Sequence, residues 1–136
     1  MSLDGKKRTL LVMDDLMTIT DDRVADIFTK ISHHRNLSVV YLTRNLFNKN
    51  KLTRTLNLNS HYIVLFMNAR DANQVANLAR QMYPGNSTFM IEAFKNATSS
   101  PYGYLFMDLK QETDDKLSLR TVIFPADLQY IYLRKS

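Results

Sequence analysis

The stretch Leu10 to Asp15, LLVMDD, is an apolar run that stops at two adjacent carboxylates. Consecutive apolar side chains of this length read as a strand buried on both faces. A strand built for burial that ends in Asp14 and Asp15 must leave two like charges solvated or offer them a cation. The residues downstream supply the architecture around it. Val24, Ile27, Phe28 and Ile31 repeat at i, i+3, i+4 and i+7 from a Thr20 cap, which predicts a helix with one apolar face. Leu37 to Thr43, rich in β-branched and aromatic residues, follows as a second strand.

The same alternation continues along the chain. Asn48 to Asn59 is polar and basic without a clear period and is expected to be a loop or short irregular helix. His61 to Phe66 predicts a third strand. Ala72, Val75, Ala76, Ala79 and Met82 mark a helix that Asp71 and Gln74 could cap, and Pro84 and Gly85 end it. A shorter helix spans about Ser87 to Ala97 with Met90, Ala93, Phe94 and Ala97 on one side, before strands at Tyr104 to Asp108 and Leu119 to Phe124. Helices between continuous apolar strands indicate an α/β fold, a mainly parallel β-sheet flanked by helices and covered on both faces. Such sheets bind ligands at the carboxyl ends of their strands. Three ends therefore stand out: Asp14 and Asp15; Arg44 and Asn45; and Asn68, Arg70 and Asp71.

Bulk properties bound the rest. A chain of 136 residues, 45% hydrophobic, is expected to form a single domain over residues 1–136. A formal net charge of +5 favours an anionic partner without demanding one. The absence of cysteine excludes disulfides and thiolate metal sites and suits a reducing compartment. The opening MSLDGKKRTLL has too short an apolar run for a signal peptide or membrane span, so an intracellular protein with no membrane partner is expected. The Asn-x-Ser/Thr triplets at Asn36, Asn86 and Asn96 then carry no glycan.

An apolar strand ending in two acids is similar to the Walker B motif of phosphate-loop nucleotidases. There the first carboxylate holds Mg²⁺ through water and the second polarises the attacking water. The neighbouring stretches SHHRNLSVVYLTRNLF (32–47) and RTLNLNSHYIVLFMNARD (54–71), with ARQMYP (79–84) and PYGYLFMDLK (101–110), carry the likeness further. Together they resemble the genome-packaging ATPases of large DNA viruses and of Maverick or Polinton transposons, within the FtsK and HerA class of DNA-pumping motors. The resemblance runs from about Arg8 to the end.

The resemblance implies that Asp14 is the Mg²⁺ ligand, Asp15 the catalytic carboxylate and Asn45 part of the sensor. At the sensor the family usually carries Gln followed by Asn, and Arg44 replaces the Gln here. A guanidinium only donates hydrogen bonds whereas an amide also accepts, so that position has changed its chemistry. The resemblance further implies Mg²⁺ and ATP as cofactors, non-specific binding to the DNA backbone, a homo-oligomer, and a place in the nucleus or cytoplasm of a host cell. Arg54 and Arg70 become arginine-finger candidates, because a ring motor needs a cation delivered across a subunit boundary. Surface salt bridges explain those arginines equally well.

One departure is larger. The family's phosphate-binding loop has the form GxxxxGK[ST], and none of the three glycines, Gly5, Gly85 and Gly103, sits in that pattern. Without backbone amides around the β-phosphate and a lysine beyond them, the dominant binding contribution for a triphosphate is missing. The chain is therefore expected to be an incomplete P-loop NTPase-like fold lacking the Walker A strand, the C-terminal part of such a motor. It is expected neither to hydrolyse ATP alone nor to bind Mg²⁺ and ATP tightly. In this motor class the missing strand is central, so its loss exposes unpaired ladders and predicts a rearranged strand order or pairing between chains, such as a swapped dimer.

Each feature has a plainer reading. Asp14 and Asp15 could cap the following segment. His33 and His34 at a helix end satisfy carbonyls and the dipole, with no third metal ligand at a sensible spacing. Asp108, before Leu109 and Lys110, reads as a turn residue, and Tyr41, Tyr62, Phe66, Tyr102, Tyr104 and Phe106 read mostly as core in preference to a base-stacking platform. Two functions stand: the back half of a DNA-packaging ATPase, or a non-enzymatic α/β module, a captured viral or transposon remnant that binds nucleic acid or a protein.

The basic loop with Lys49, Lys51 and Arg54, interspersed with Asn48, Asn50 and Thr53, suits a phosphate backbone. Fluorescence anisotropy on a DNA duplex should show weak binding that fades as salt rises. The double variant Lys49→Ala/Lys51→Ala should flatten the log–log salt slope by about 2; an unchanged slope removes this loop from the DNA interface.

Overall fold

Parallel pairing of the first two strands is the feature that positions the strand ends. The computed structural model of the chain describes residues 6–14, 25–31, 36–44, 55, 57–69 and 72–135. These belong to two compact units, residues 1–60 and residues 61–136, which are described in turn.

In the first unit β1 (Thr9–Asp14) pairs in parallel with β2 (Leu37–Leu42), from Thr9 opposite Leu37 to Asp14 opposite Leu42. The alternation of a strand sends successive side chains to opposite faces. Leu11 and Met13 on β1 and Val39 and Tyr41 on β2 thus share one face, where Ile27 and Phe28 pack against them. Those two residues come from a turn of π-helix, Ile27–Ile31, inside the stretch read from sequence as an amphipathic helix. Its last basic residue, Lys30, makes an i, i+4 ion pair with Asp26 at 3.0 Å. The Phe28 ring meets Tyr41 edge to face, centroids 6.2 Å apart, an arrangement that contributes about 1 kcal/mol beyond the area it buries. Further on, residues 57–59 are helical, and the Asn59 amide donates to the Thr55 carbonyl at 2.8 Å, so the irregular stretch does contain a short helical piece.

The second unit holds a four-stranded antiparallel sheet in the order β3 (Tyr62–Phe66), β4 (Tyr104–Asp108), β5 (Leu119–Thr121) and β6 (Tyr130–Ile131). Helices α1 (Ala72–Met82) and α2 (Ser87–Ala97) join β3 to β4. The α1 stripe Val75, Leu78 and Ala79 is buried, as are Met90, Ala93, Phe94 and Ala97 on α2, the four positions their helical spacing picks out. The two helices pack together, and α2 lies against β4 and β5. Ile63, Leu65, Leu105, Met107 and Leu119 form the buried strand positions.

Two differences from the sequence reading follow. The α/β class is observed, yet the strands form two sheets, a parallel pair and a larger antiparallel one, instead of one mainly parallel sheet. The last three strands are each linked without a helical crossover, and antiparallel pairing is what short links permit. The other difference is at the C-terminal end. Leu119 to Phe124 was expected to be one strand, but β5 stops at Thr121 because Val122 turns to φ 55°, and β6 follows where no strand was expected.

The link from α2 to β4 is tight. The Thr98 hydroxyl donates to the Phe94 carbonyl at 2.7 Å and the Ser99 hydroxyl to the Asn96 carbonyl at 2.7 Å, beside the backbone amides of the same two residues, which donate to those carbonyls at 3.0 and 3.2 Å. The chain then passes so close to the helix end that a Cβ on Gly103 would collide with the Ala97 and Ser100 carbonyl oxygens. Urea unfolding should therefore show Gly103→Ala destabilising by about 1–3 kcal/mol. Leu105→Ala, which empties a fully buried site, should cost about 2–5 kcal/mol, and the exposed Val64→Ala under about 1 kcal/mol. Equal losses at Leu105 and Val64 would contradict this assignment of sheet faces.

Candidate functional site

Parallel strands end at the same edge, and the register of β1 on β2 puts Asp14 beside Leu42 there. Asp14 is exposed, and Thr43 and Arg44 continue from β2 at that edge, Arg44 also exposed. The edge thus carries a carboxylate from one strand and a guanidinium leaving its neighbour. An exposed carboxylate at a strand end fits a hard cation that keeps most of its water, as Mg²⁺ does. Among the described residues no group of three His, Asp or Glu side chains is placed to hold a metal ion. Asp15, Asn45, Lys49, Lys51, Arg54 and Arg70 lie outside the described residues, as do His33, His34, Asp71 and the Thr20 cap. Of the sequence-derived site, the structure therefore places Asp14 and Arg44 at one sheet edge.

The second unit contains a polar cluster that sequence reading undervalued. Asp108, the last residue of β4, is buried; its carboxylate accepts three hydrogen bonds and its amide donates one. Its Oδ1 accepts from the Lys110 amide at 3.2 Å, the turn geometry expected of it, and from the Thr113 hydroxyl at 3.0 Å. Its Oδ2 accepts from Arg120 Nη2 on β5 at 2.6 Å, and its own amide donates to the Ser118 carbonyl at 2.8 Å. Arg120 is only 19% exposed, and among the described residues its Nε has no partner and Asp108 is its countercharge. It also lies over the Phe106 ring, 5.0 Å from the centroid. No sequence signal links residues twelve apart across two strands, because the register that brings them together is a tertiary property.

The aromatics also sit differently from the core reading. Tyr62 and Phe66 are exposed and Tyr104 and Phe106 half-buried, on the sheet face opposite the buried Ile63, Leu65, Leu105 and Met107. They pair across β3 and β4: Tyr62 with Phe106 at 5.2 Å and Phe66 with Tyr104 at 5.9 Å between centroids. Lys110 caps the row with Nζ 5.1 Å over the Tyr62 ring. The Tyr62 hydroxyl, first as hydrogen-bond partner and then through its charge when ionised, raises the Lys110 pKa above the ordinary lysine value. Tyr102 is exposed as well, and Tyr41 half-buried. Burial raises the Tyr132 pKa above the ordinary tyrosine value, and its hydroxyl donates to Asn96 Oδ1 at 2.8 Å.

No family model matches the chain, and no curated protein or solved structure matches it. No helix among the described residues is long and apolar enough to cross a membrane.

The ion pair gives a direct test of what holds this cluster. Asp108→Ala strands a largely buried guanidinium and should lower stability by about 3–5 kcal/mol, whereas Asp108→Leu/Arg120→Met, which removes both charges, should recover most of that loss. Urea melts of the single and double variants decide it; a double variant no more stable than Asp108→Ala would mean the pair is not what the single change breaks.

Proposed function

We propose that this chain is the magnesium- and sensor-bearing portion of a DNA-packaging or DNA-translocating ATPase, an incomplete P-loop NTPase-like unit whose phosphate-binding loop comes from other polypeptide. The observation that carries the reading is the parallel register of β1 and β2, which sets Asp14 at the strand edge from which Arg44 also leaves. In this reading Asp14 would hold Mg²⁺ through water, and Asp15, the next residue in the chain, would supply the second carboxylate. A magnesium ion held there would supply positive charge to offset that of the ATP phosphates. Asp15 accepts a proton from the attacking water as the water oxygen bonds to the γ-phosphorus and the bond to the ADP oxygen breaks. Asn45 orients that water, with Arg44 contributing donors alone.

The partners follow from the same reading. Lys49, Lys51 and Arg54 hold the DNA backbone, Arg54 or Arg70 reaches across a subunit boundary as arginine finger, and the motor is a homo-oligomer. Free edges support the last element: β3 ends its sheet, and β1 and β2 are each paired on one side among the described residues.

A second reading, a non-enzymatic α/β module that binds nucleic acid or a protein, is favoured by a separate observation. The larger sheet is antiparallel, with its own buried helical layer, and needs no nucleotide to organise it. The two readings part on one experiment. The coding sequence upstream of Met1 should encode a Gly-rich loop ending in Lys-Ser or Lys-Thr. Protein joined to that segment should assemble into multimers by light scattering and hydrolyse ATP, with Asp15→Asn lowering kcat about 100-fold or more. The chain alone should give no tight binding of Mg²⁺ with a nonhydrolysable ATP analogue by isothermal titration. An in-frame stop codon upstream, or ATPase activity indifferent to Asp15→Asn, would favour the binding module.

A further inference from the structure

Within the second unit, the turn that leaves α2 and the segment that links β5 to β6 face each other across an open cleft of about 450 Å³. Its walls include Tyr102, Tyr104, Phe124, Tyr130 and Tyr132, and the charged residue among its lining is Asp127. We propose that this cleft binds an extended proline-rich peptide that carries a basic side chain, a function independent of the motor reading.

The first argument is exposure. Tyr102 is 96% exposed, Phe124 64% and Tyr130 57%, and all three border the same concavity. Isolated exposed aromatics are ordinary on a protein surface, but several around one hollow mark a place where a partner's apolar surface is taken up.

The second argument is that the backbone is held in costly conformations to make this shape. Tyr102 at φ 59° and Val122 at φ 55° both line the cleft, and both lie in the left-handed region that side chains other than glycine's rarely adopt. For β-branched Val122 this is a true outlier, and such strain concentrates at binding sites. Around it the walls are fixed. The Gly103 amide donates to the Ser100 carbonyl at 3.0 Å, the Ile123 amide to the Tyr104 hydroxyl at 3.0 Å, and the Thr121 hydroxyl to the Tyr104 carbonyl at 2.6 Å. A ligand therefore meets preformed walls and loses little free energy in ordering them.

The lining selects the ligand class. A phosphate-rich ligand finds no countercharge there, since among the described residues no lysine or arginine lines the cleft. Flat tyrosine faces suit proline rings, and an extended polyproline helix keeps its carbonyls unpaired, ready to accept from tyrosine and serine hydroxyls such as those of Tyr130 and Ser100. Its stiffness also reduces the entropy lost on binding. Asp127, exposed at the cleft, complements an arginine or lysine on the peptide.

The test is titration of the full chain with a synthetic decapeptide of prolines bearing one arginine, followed by amide chemical shifts and isothermal titration. Shifts should cluster at Tyr102, Gly103, Phe124 and Tyr130. Tyr102→Ala should weaken binding about tenfold. Asp127→Asn should weaken it about threefold, and only for the arginine peptide, not for its norleucine version. Both positions are exposed, and unchanged thermal melting will confirm that the variants are folded. A peptide with glycines in place of prolines binding equally well, shifts located elsewhere, no shifts at millimolar peptide, or an affinity untouched by Tyr102→Ala would each overturn the proposal. So would an oligosaccharide or oligonucleotide taking the cleft in the peptide's place.

Discussion

Two parallel strands cannot be joined by a tight turn, and everything at the edge of the first unit follows from that constraint. The chain has to leave the end of β1, travel back along the sheet and start β2 beside the beginning of β1. Both strands then finish at the same edge, so polar residues far apart in sequence arrive there together, with Asp14 level with Leu42. An antiparallel pair does the opposite. In the second unit the end of β3 lies beside the start of β4, Phe66 opposite Tyr104, and each edge of the sheet mixes strand ends with strand beginnings. The polar cluster there, Asp108 with Arg120, is consequently a structural tie between neighbouring strands, while the edge of the parallel pair is where a ligand-binding arrangement can be assembled.

Both units share a second property. Their strands are apolar on both sides, but the helical segments cover one side. In the first unit Leu10, Val12, Val40 and Leu42 are exposed opposite the face that Ile27 and Phe28 cover. In the second, Tyr62, Val64 and Phe66 are exposed opposite Ile63 and Leu65. A strand meant for water on one face normally alternates apolar with polar residues. The β3 sequence YIVLF does not alternate at all. On that face the chain relies on ring-to-ring pairs and on cations lying over the rings, so the aromatic row is shielded in part by itself.

This explains which parts of the molecule were legible in the sequence. Helix positions and their buried faces were readable because spacing at i, i+3 and i+4 is local: Met90, Ala93, Phe94 and Ala97 are the buried residues of α2. The β4 boundaries, Tyr104 to Asp108, were equally readable from a strand-length apolar run. Strand direction was not, since YIVLF carries the same pattern in a parallel or an antiparallel sheet. A continuous apolar run also fails to say which of its two sides meets the helices, so aromatics such as Tyr62 and Phe66 read as core although they are exposed. Of the candidate site, the strand ending in Asp14 was legible as a strand, and its adjacency to β2 needed coordinates. The Asp108–Arg120 pair and the tyrosine-lined cleft were invisible for the same reason: each is made by a register or a left-handed turn that no short window of sequence encodes.

The two helices between β3 and β4 have a kinetic consequence. Pairing those strands closes a long loop, and closure of a flexible loop becomes costlier in entropy as it lengthens. Once α1 and α2 have formed and packed on each other, the same segment is a short, stiff bridge instead of a long coil. Assembly of the sheet is thus expected to wait for the helical hairpin, with β5 and β6 adding afterwards to an edge that already exists.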